Sequence, residues 1–264
     1  MQTRNKQGFK HQNYVRAALI LTDNTTLMKI LVVSDVHFEL GSHHGTYEGG
    51  AYDWLLRTVK LVQPTALIGL GDYGHAWTAE QWETLASLVP LHLVYGNHEN
   101  MEELVAVKNT DGRNALIDDG GNRMVDGLKI GAINGIVSRK TKIKDGTPRQ
   151  TPEEYLRHAP WLAGVDVLAT HMAPREMASG FIHENDDLVV MDEVLKVVKP
   201  KLFLCGHLGG PYKIATIGGT VGVRVDSSPA EQHYAVITGD ESKVNVYHNH
   251  DLVDSVSITL ARGR

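Results

Sequence analysis

Side chains that can bind a metal ion follow three apolar runs in the first hundred residues. They are Asp35 and His37 after the run 30–34, Asp72 after 66–70, and Asn97 and His98 after 91–95. Each run predicts a strand, and the alternation of side chains along a strand would direct Asp35 and His37 to the same side. The carboxyl ends of strands are where an open α/β sheet binds its ligands. The pattern therefore predicts a polar cluster at one edge of a sheet.

Two histidines extend this pattern towards the C-terminus. His171 follows a predicted strand at 165–170, and His207 follows another at 201–205. A single turn of this kind is a weak signal, because Asp and Asn are ordinary residues after a strand. Five strand ends with metal-capable side chains in one chain are much harder to attribute to chance.

A rival interpretation comes from residues 69–74, which match the dinucleotide-binding pattern Gly-x-Gly-x-x-Gly. That pattern should open a helix, and an acid should stand near the end of the next strand. Here Thr78 is the predicted N-cap of the next helix, and the next strand ends in Asn97 and His98. The dinucleotide interpretation therefore fails on its context.

Together these motifs resemble those of the calcineurin-like metallophosphoesterases. The matching residues, within about 28 to 250, are Asp35-x-His37, Gly71-Asp72, Gly96-Asn97-His98-Glu99, His171 and Gly206-His207. The resemblance implies a layered α/β fold, an αββα sandwich of two stacked mixed β-sheets flanked by helices. It also implies a metal-dependent hydrolase of phosphomonoesters or phosphodiesters, in which metal-bound hydroxide attacks phosphorus.

The resemblance further implies two divalent metal ions. The expected ligands are Asp35 and His37 on the first ion, Asn97, His171 and His207 on the second, and Asp72 as the bridge between them. A ligand set of Asp, His and Asn without a thiolate suits borderline divalent ions. Mn²⁺ is the first choice, and Fe²⁺, Zn²⁺ and Co²⁺ are the alternatives.

His98 is expected to be the catalytic residue, because the family uses this histidine to stabilise the phosphoryl oxygens or to protonate the leaving group. Substrate contacts are expected from His75, Arg139 and Lys140. The last two belong to a basic stretch, 138–149, which is interpreted either as a solvated loop or as a substrate-contacting loop. The same alternatives apply to His43 and His44 in the loop after the first strand.

Two positions depart from the family pattern. Gly209 stands where the usual Gly-His-x-His motif has its second histidine, so the first ion loses a ligand. His75 stands where related protein phosphatases place an aspartate that orients the catalytic histidine. It can replace that aspartate, lie near the first metal, or line the loop. A low-activity regulatory protein that binds nucleotides or phosphate therefore remains the alternative function.

Composition limits the partners. A net charge of −5 and a pI near 6.3 argue against a dedicated nucleic-acid binder. The single cysteine, Cys205, lies in an apolar run and is interpreted as a buried residue and not as a nucleophile.

We expect a cytoplasmic protein that acts on a phosphate-ester small molecule or a nucleotide and does not associate with membranes. Residues 1–27 are interpreted as an extension, flexible or packed on the body, before a single domain at 28–264.

Local patterns predict the remaining elements. Apolar stripes and caps predict helices at 51–62, 79–88, 101–107, from Thr151 onward, and at 187–198. Further strands are predicted at 113–117, 123–126, 128–134, 212–217, 220–225, 233–238, 243–248 and 254–260, with Gly218-Gly219 as a hairpin turn.

Overall fold

The protein is represented by a computed structural model that describes residues 28–43, 45–140, 142–178, 186–239 and 242–259. The predicted extension at 1–27 lies outside these residues, as does His44. No helix in the described part of the chain is long and apolar enough to cross a bilayer.

The strands, numbered along the chain, are β1 Lys29–Val33, β2 Ser42–His43, β3 Thr46–Tyr47, β4 Ala66–Gly69, β5 Leu91–Leu93, β6 Asn122–Val125, β7 Leu128–Ile133, β8 Ile143–Lys144, β9 Thr147–Pro148, β10 Val167–Thr170, β11 Leu202–Cys205, β12 Lys213–Ile217, β13 Thr220–Arg224, β14 His233–Thr238, β15 Lys243–His248 and β16 Asp251–Ser257. The α-helices are α1 Ala51–Val62, α2 Ala79–Leu88, α3 Met101–Ala106, α4 Pro152–His158 and α5 Asp186–Val198. Short 3₁₀ helices cover Ala159–Leu162 and Arg175–Met177.

Two six-stranded sheets form the centre of the fold. The first has the order β16-β15-β14-β1-β4-β5, and the second has the order β12-β13-β11-β10-β7-β6. In the first sheet β1, β4 and β5 are parallel, and β14 joins β1 in antiparallel register. In the second sheet β7, β10, β11 and β13 are parallel. Both sheets are therefore mixed, as the sequence predicts.

The apolar core has three layers because alternate side chains of each strand face opposite ways. Ile30 and Val32 of β1 pack in the cluster between the two sheets, which also contains Val167 of β10. Leu31 and Val33 pack on the other side, with residues of α1 and α2. The outer face of the second sheet packs on α4 and α5 through a third cluster. This αββα layering confirms the predicted fold class.

Local signals set several helix starts. Thr78 and Gln81 form a capping box at α2, and Thr151 and Glu154 form another at α4, with Pro152 at its first position. The predicted hairpin at 218–219 joins β12 to β13. The predicted strand 113–117 is wrong, because this segment meets β5 only at a single bridge, Leu93 to Leu116. Cys205 is a buried free thiol, as predicted.

Candidate metal centre

The turns after β1 and β4 hold their polar residues in the left-handed backbone region. The φ angles are 56° at Asp35, 47° at His37 and 54° at Asp72. Such a conformation costs an L-residue roughly 1–2 kcal/mol. Hydrogen bonds between the turns hold it: the backbone N–H of Asp35 donates to Gly71 O and that of His37 to Asp72 O, each at 2.9 Å. Strand alternation therefore does not explain why Asp35 and His37 converge, because β1 ends at Val33.

Asp35, His37 and Asp72 form the first group of potential metal ligands. One ligand atom from each lies within 4.8 Å of the others. His37 Nε2 is 3.8 Å from Asp35 Oδ1 and 3.8 Å from Asp72 Oδ2. The structure thus brings together all three residues that were predicted to hold the first ion.

Asp72, His171 and His207 form a second group with the same closeness. His171 Nε2 lies 3.3 Å from Asp72 Oδ2, and the rings of His171 and His207 are 4.9 Å apart. His171 Nδ1 is 2.8 Å from Leu70 O, and because a carbonyl only accepts, this nitrogen carries the proton. Nε2 of His171 therefore faces the centre, and loss of its proton would give the tautomer that a metal ligand needs.

The two oxygens of Asp72 have different surroundings. Oδ1 accepts the backbone N–H of Asn97 at 2.5 Å and that of His98 at 2.8 Å. Oδ2 faces His37 and His171, one from each ligand group. One oxygen is thus occupied in positioning the carboxylate, and the other is placed between the two groups.

Two buried polar atoms indicate whether a cation fits this centre. Asn97 Oδ1 and His171 Nε2 are both buried and have no hydrogen-bond partner among the described residues. Leaving a buried polar atom unsatisfied costs about 1–3 kcal/mol. A divalent ion would satisfy both atoms, so the residues present fit the metal that the motifs imply.

Charge coupling inside the centre shifts two pKa values in opposite directions. Burial lowers the pKa of His171, but the charge and hydrogen bond of Asp72, together with the charge of Asp35, outweigh it and raise this pKa to about 9. Burial raises the pKa of Asp72, but His171, His37 and His207 outweigh it and hold this pKa well below its usual range. In the metal-free protein a proton on His171 therefore neutralises the carboxylate that a cation would otherwise neutralise.

His98 lies at the edge of the centre and lines a cleft of about 400 Å³ together with Asp35, His37, Asp72 and Asn97. Its ring is 5.5 Å from the ring of His37. The pKa of His98 is lowered, mainly by burial, and the nearby charge of Asp72 opposes that shift.

His75 is held by Glu39 and lies beside His98. Its Nδ1 is 2.8 Å from Glu39 Oε1, and its backbone N–H donates to the same oxygen at 2.7 Å. The His75 ring stands perpendicular to the His98 ring at 6.2 Å. This position keeps His75 next to the predicted catalytic histidine.

Glu99 was part of the sequence motif, but its role was not predicted. Its carboxylate is buried, and Oε1 accepts the backbone N–H groups of Asp72 at 2.6 Å and Gly96 at 2.7 Å. Oε2 accepts the N–H of Tyr73 at 3.1 Å. Burial and the charge of Asp72 raise the pKa of Glu99 to about 8. Its place in the Gly-Asn-His-Glu motif was the signal that could have found it.

The first part of the basic stretch pairs with acidic residues of two helices. Arg139 Nε is 3.0 Å from Asp187 Oδ1 of α5, and Lys142 Nζ is 3.3 Å from Glu154 of α4. Lys140 is exposed. Neither Arg139 nor Lys140 is among the residues that line the cleft. Their contact with substrate stays a prediction, as does that of His43.

Arg149, at the end of this stretch, has a charge that acts on one residue of the centre. Its positive charge makes a small contribution to lowering the pKa of His207, after burial and the charges of His171 and His98. Arg149 Nε is buried and has no hydrogen-bond partner among the described residues. The preceding strand β9 is tied to the site because Thr147 Oγ1 accepts the backbone N–H of Glu99 at 3.2 Å.

Comparison with known proteins identifies the family. The family model of the calcineurin-like phosphoesterases matches residues 28–211, which is more than half of the chain. The protein therefore belongs to the calcineurin-like phosphoesterase family. Membership supports a metal-dependent phosphoesterase in general and implies that the protein binds divalent metal ions. Among curated proteins, none matches the chain.

Solved structures share the fold at low sequence identity. The protein TT1561 of Thermus thermophilus has a TM-score of 0.60 and 14% identity, over 84% of this chain and 99% of that one. GAP50, described as the anchor in the inner membrane complex of Plasmodium, has a TM-score of 0.56 and 9% identity, over 89% of each chain. At these identities the likeness shows a common fold alone.

Proposed function

We propose that the protein hydrolyses phosphomonoesters or phosphodiesters of small molecules or nucleotides with two divalent metal ions. The proposal depends above all on the position of Asp72 Oδ2. This oxygen lies 3.8 Å from Nε2 of His37 in the first ligand group and 3.3 Å from Nε2 of His171 in the second. When bound, two such ions would supply Lewis-acid stabilisation of the phosphoryl group and an activated water. Mn²⁺ is the first candidate for the native metal, since the ligands are oxygen and nitrogen atoms.

His98 is the proposed general acid. It is half-buried and shares its cleft with both ligand groups, so a phosphoryl group bound there would lie within its reach. The lowered pKa of His98 means that the free imidazole is largely neutral near pH 7. An anionic substrate beside the ring would favour its protonated form. His98 would then donate its proton to the leaving-group oxygen.

His75 and Glu39 are proposed to support His98. The carboxylate of Glu39 fixes the His75 ring through Nδ1. The His75 ring, perpendicular to that of His98, restricts how far the His98 ring can turn. We therefore favour the first of the three roles considered for His75, in which it replaces an orienting residue.

A weakened enzyme that binds nucleotides or phosphate is the second candidate function. Gly209 favours it, because the first ligand group has three protein ligands among the described residues and no histidine at position 209. The two candidates differ in turnover and share metal binding, so one assay separates them.

The test measures hydrolysis of an aryl phosphate monoester and an aryl phosphate diester, with and without added Mn²⁺. We expect turnover that depends on the metal and is lost in Asp72→Asn, which removes the shared negative charge. Turnover that is equal in the wild type and in Asp72→Asn would refute the proposed hydrolysis. Metal binding without turnover of either ester would favour the second candidate.

A further inference from the structure

The first ligand group has open space where the family motif would place a histidine. A Cβ atom added to Gly209 would meet no atom within 4 Å, and Gly209 has a φ of +56°. Among the described residues, Asp35, His37 and Asp72 are the ones grouped to hold the first ion. The cleft beside this space contains one further buried carboxylate, that of Asp226.

Asp226 is fixed beside the turn that carries Asp35. The residue after it, Ser227, donates its backbone N–H to Ser34 O at 2.8 Å, and Ser34 N–H donates to Ser227 Oγ at 3.2 Å. The carbonyl of Asp226 accepts the backbone N–H of His233 at 2.8 Å. These bonds attach the segment after β13 to the end of β1, so the two aspartates are held on the same wall of the cleft.

The Asp226 side chain has no cationic partner within the described residues. It is only 5% exposed, and its Oδ1 accepts the backbone N–H of Ser228 at 3.0 Å. Burial and the negative charge of Asp35 raise the pKa of Asp226 to about 7. Two buried carboxylates that repel each other are unfavourable unless a cation lies near both.

We propose that Asp226 accepts a hydrogen bond from a water on the first divalent ion and so partly compensates for the histidine that is missing at Gly209. Asp226 is not among the residues whose ligand atoms lie within 4.8 Å of one another, which favours a link through water over direct coordination. Carboxylates in such outer positions change metal affinity by roughly 10–100-fold. The inference rests on the metal centre and holds whether or not the protein turns over a substrate.

The test compares Mn²⁺ binding to metal-free wild type and to Asp226→Asn by calorimetry, with free Mn²⁺ measured by electron paramagnetic resonance. We expect one of two sites to weaken by roughly 10–100-fold in Asp226→Asn, and the other to stay unchanged. Glu231→Gln is the matched control, because Glu231 lines the same cleft but is partly exposed. It should bind both ions nearly as the wild type does.

A thermal unfolding curve of the metal-free proteins separates this role from a purely structural one. Asp226→Asn should be at least as stable as wild type without metal, since it removes the repulsion from Asp35. It should also gain less stability when Mn²⁺ is added. A metal-free Asp226→Asn protein that unfolds earlier, with both sites weakened equally, would assign Asp226 to the fold and overturn the proposal.

A second variant tests the same site by restoring the missing histidine. Gly209→His in the Asp226→Asn background should recover affinity at the weakened site if both positions serve the first ion. If the positive φ at position 209 strains the backbone of the Gly209→His variant, the comparison of Asp226→Asn with Glu231→Gln still tests whether Asp226 supports the first ion. Two unchanged Mn²⁺ sites in Asp226→Asn, or a single site in the wild type, would refute the inference. Because binding is measured without substrate, an inactive wild type would refute only the hydrolase.

Discussion

The carboxylate of Glu99 and the backbone N–H of Asp72 are joined by a hydrogen bond of 2.6 Å. The same oxygen of Glu99 also accepts the N–H of Gly96. One buried side chain therefore connects the turn after β4, which carries Asp72, to the turn after β5, which carries Asn97 and His98. This connection helps to fix the distance between Asp72, the proposed shared ligand, and His98, the proposed acid.

Replacing Glu99 should loosen both turns. Glu99→Gln retains one acceptor oxygen for three backbone N–H groups, so at least one buried donor loses its partner, at a cost of about 1–3 kcal/mol. We expect the free energy of unfolding in urea to fall by that amount and Mn²⁺ to bind more weakly. Glu102→Gln, an exposed change in α3, is the control and should stay within about 0.5 kcal/mol of wild type. Equal stability of the two variants would contradict the role assigned to Glu99.

Removing the imidazole of His98 should separate chemistry from metal binding. His98 is outside both ligand groups, so His98→Ala should keep the wild-type metal content. Its kcat should fall by roughly 10²–10⁴-fold, which is the usual contribution of general-acid catalysis. Metal analysis and steady-state kinetics of the same preparation check both points. Loss of metal with unchanged kcat would show that the roles of Asn97 and His98 are exchanged.

Arg149 should matter for substrate binding more than Arg139 does. The charge of Arg149 acts on His207, whereas Arg139 is paired with Asp187. Arg149→Gln should therefore raise KM for an anionic ester and reduce the dependence of KM on salt, because screening acts on the charge that has been removed. Arg139→Gln is the matched control, and its KM should change little. If the two variants raise KM equally, the whole basic stretch, and not its last residue, attracts the substrate.

Metal-free protein should lose stability as the pH rises from 6.5 to 9. The pKa of His171 is raised from 6.5 to about 9, so its stabilising contribution is complete below pH 6.5 and is lost as pH passes through 9. By linkage this amounts to about 3 kcal/mol. The raised pKa values of Glu99 and Asp226 act in the same direction.

Bound Mn²⁺ should remove this dependence, because the ion replaces the proton on His171. Thermal unfolding between pH 6.5 and 9, with and without Mn²⁺, measures the effect, and calorimetry at pH 7 in two buffers should detect about one proton released on binding. A metal-free protein that becomes more stable over this pH range would contradict the His171–Asp72 coupling.

Much of this protein could be predicted from local patterns alone. Apolar runs that end in Asp, Asn or His placed the strand ends, and capping boxes at Thr78 and Thr151 placed two helix starts. These signals are readable because they depend on residues within a few positions of each other. The order of the motifs was likewise enough to predict the family and the layered fold.

Other features depended on contacts between residues far apart in the chain. β14 pairs with β1 although some two hundred residues separate them along the chain. The sequence of neither strand shows which residues of the other strand it pairs with. The convergence of Asp35 and His37 follows from left-handed turns bonded to the next loop, which strand periodicity does not predict.

The residues of the candidate site also fall into those that local sequence predicts and those that only the tertiary structure reveals. The Asp, His and Asn residues after the strands were identified from sequence because they stand in a recognisable motif. Asp226 and Arg149 stand in no motif, and only the tertiary arrangement of the segments that follow β13 and β9 lets their charges act on Asp35 and His207. Residue types and local spacing thus determined which chemistry is available. The tertiary structure decided which charges act on it, because electrostatic coupling depends on distance in space and on burial, and not on separation along the chain.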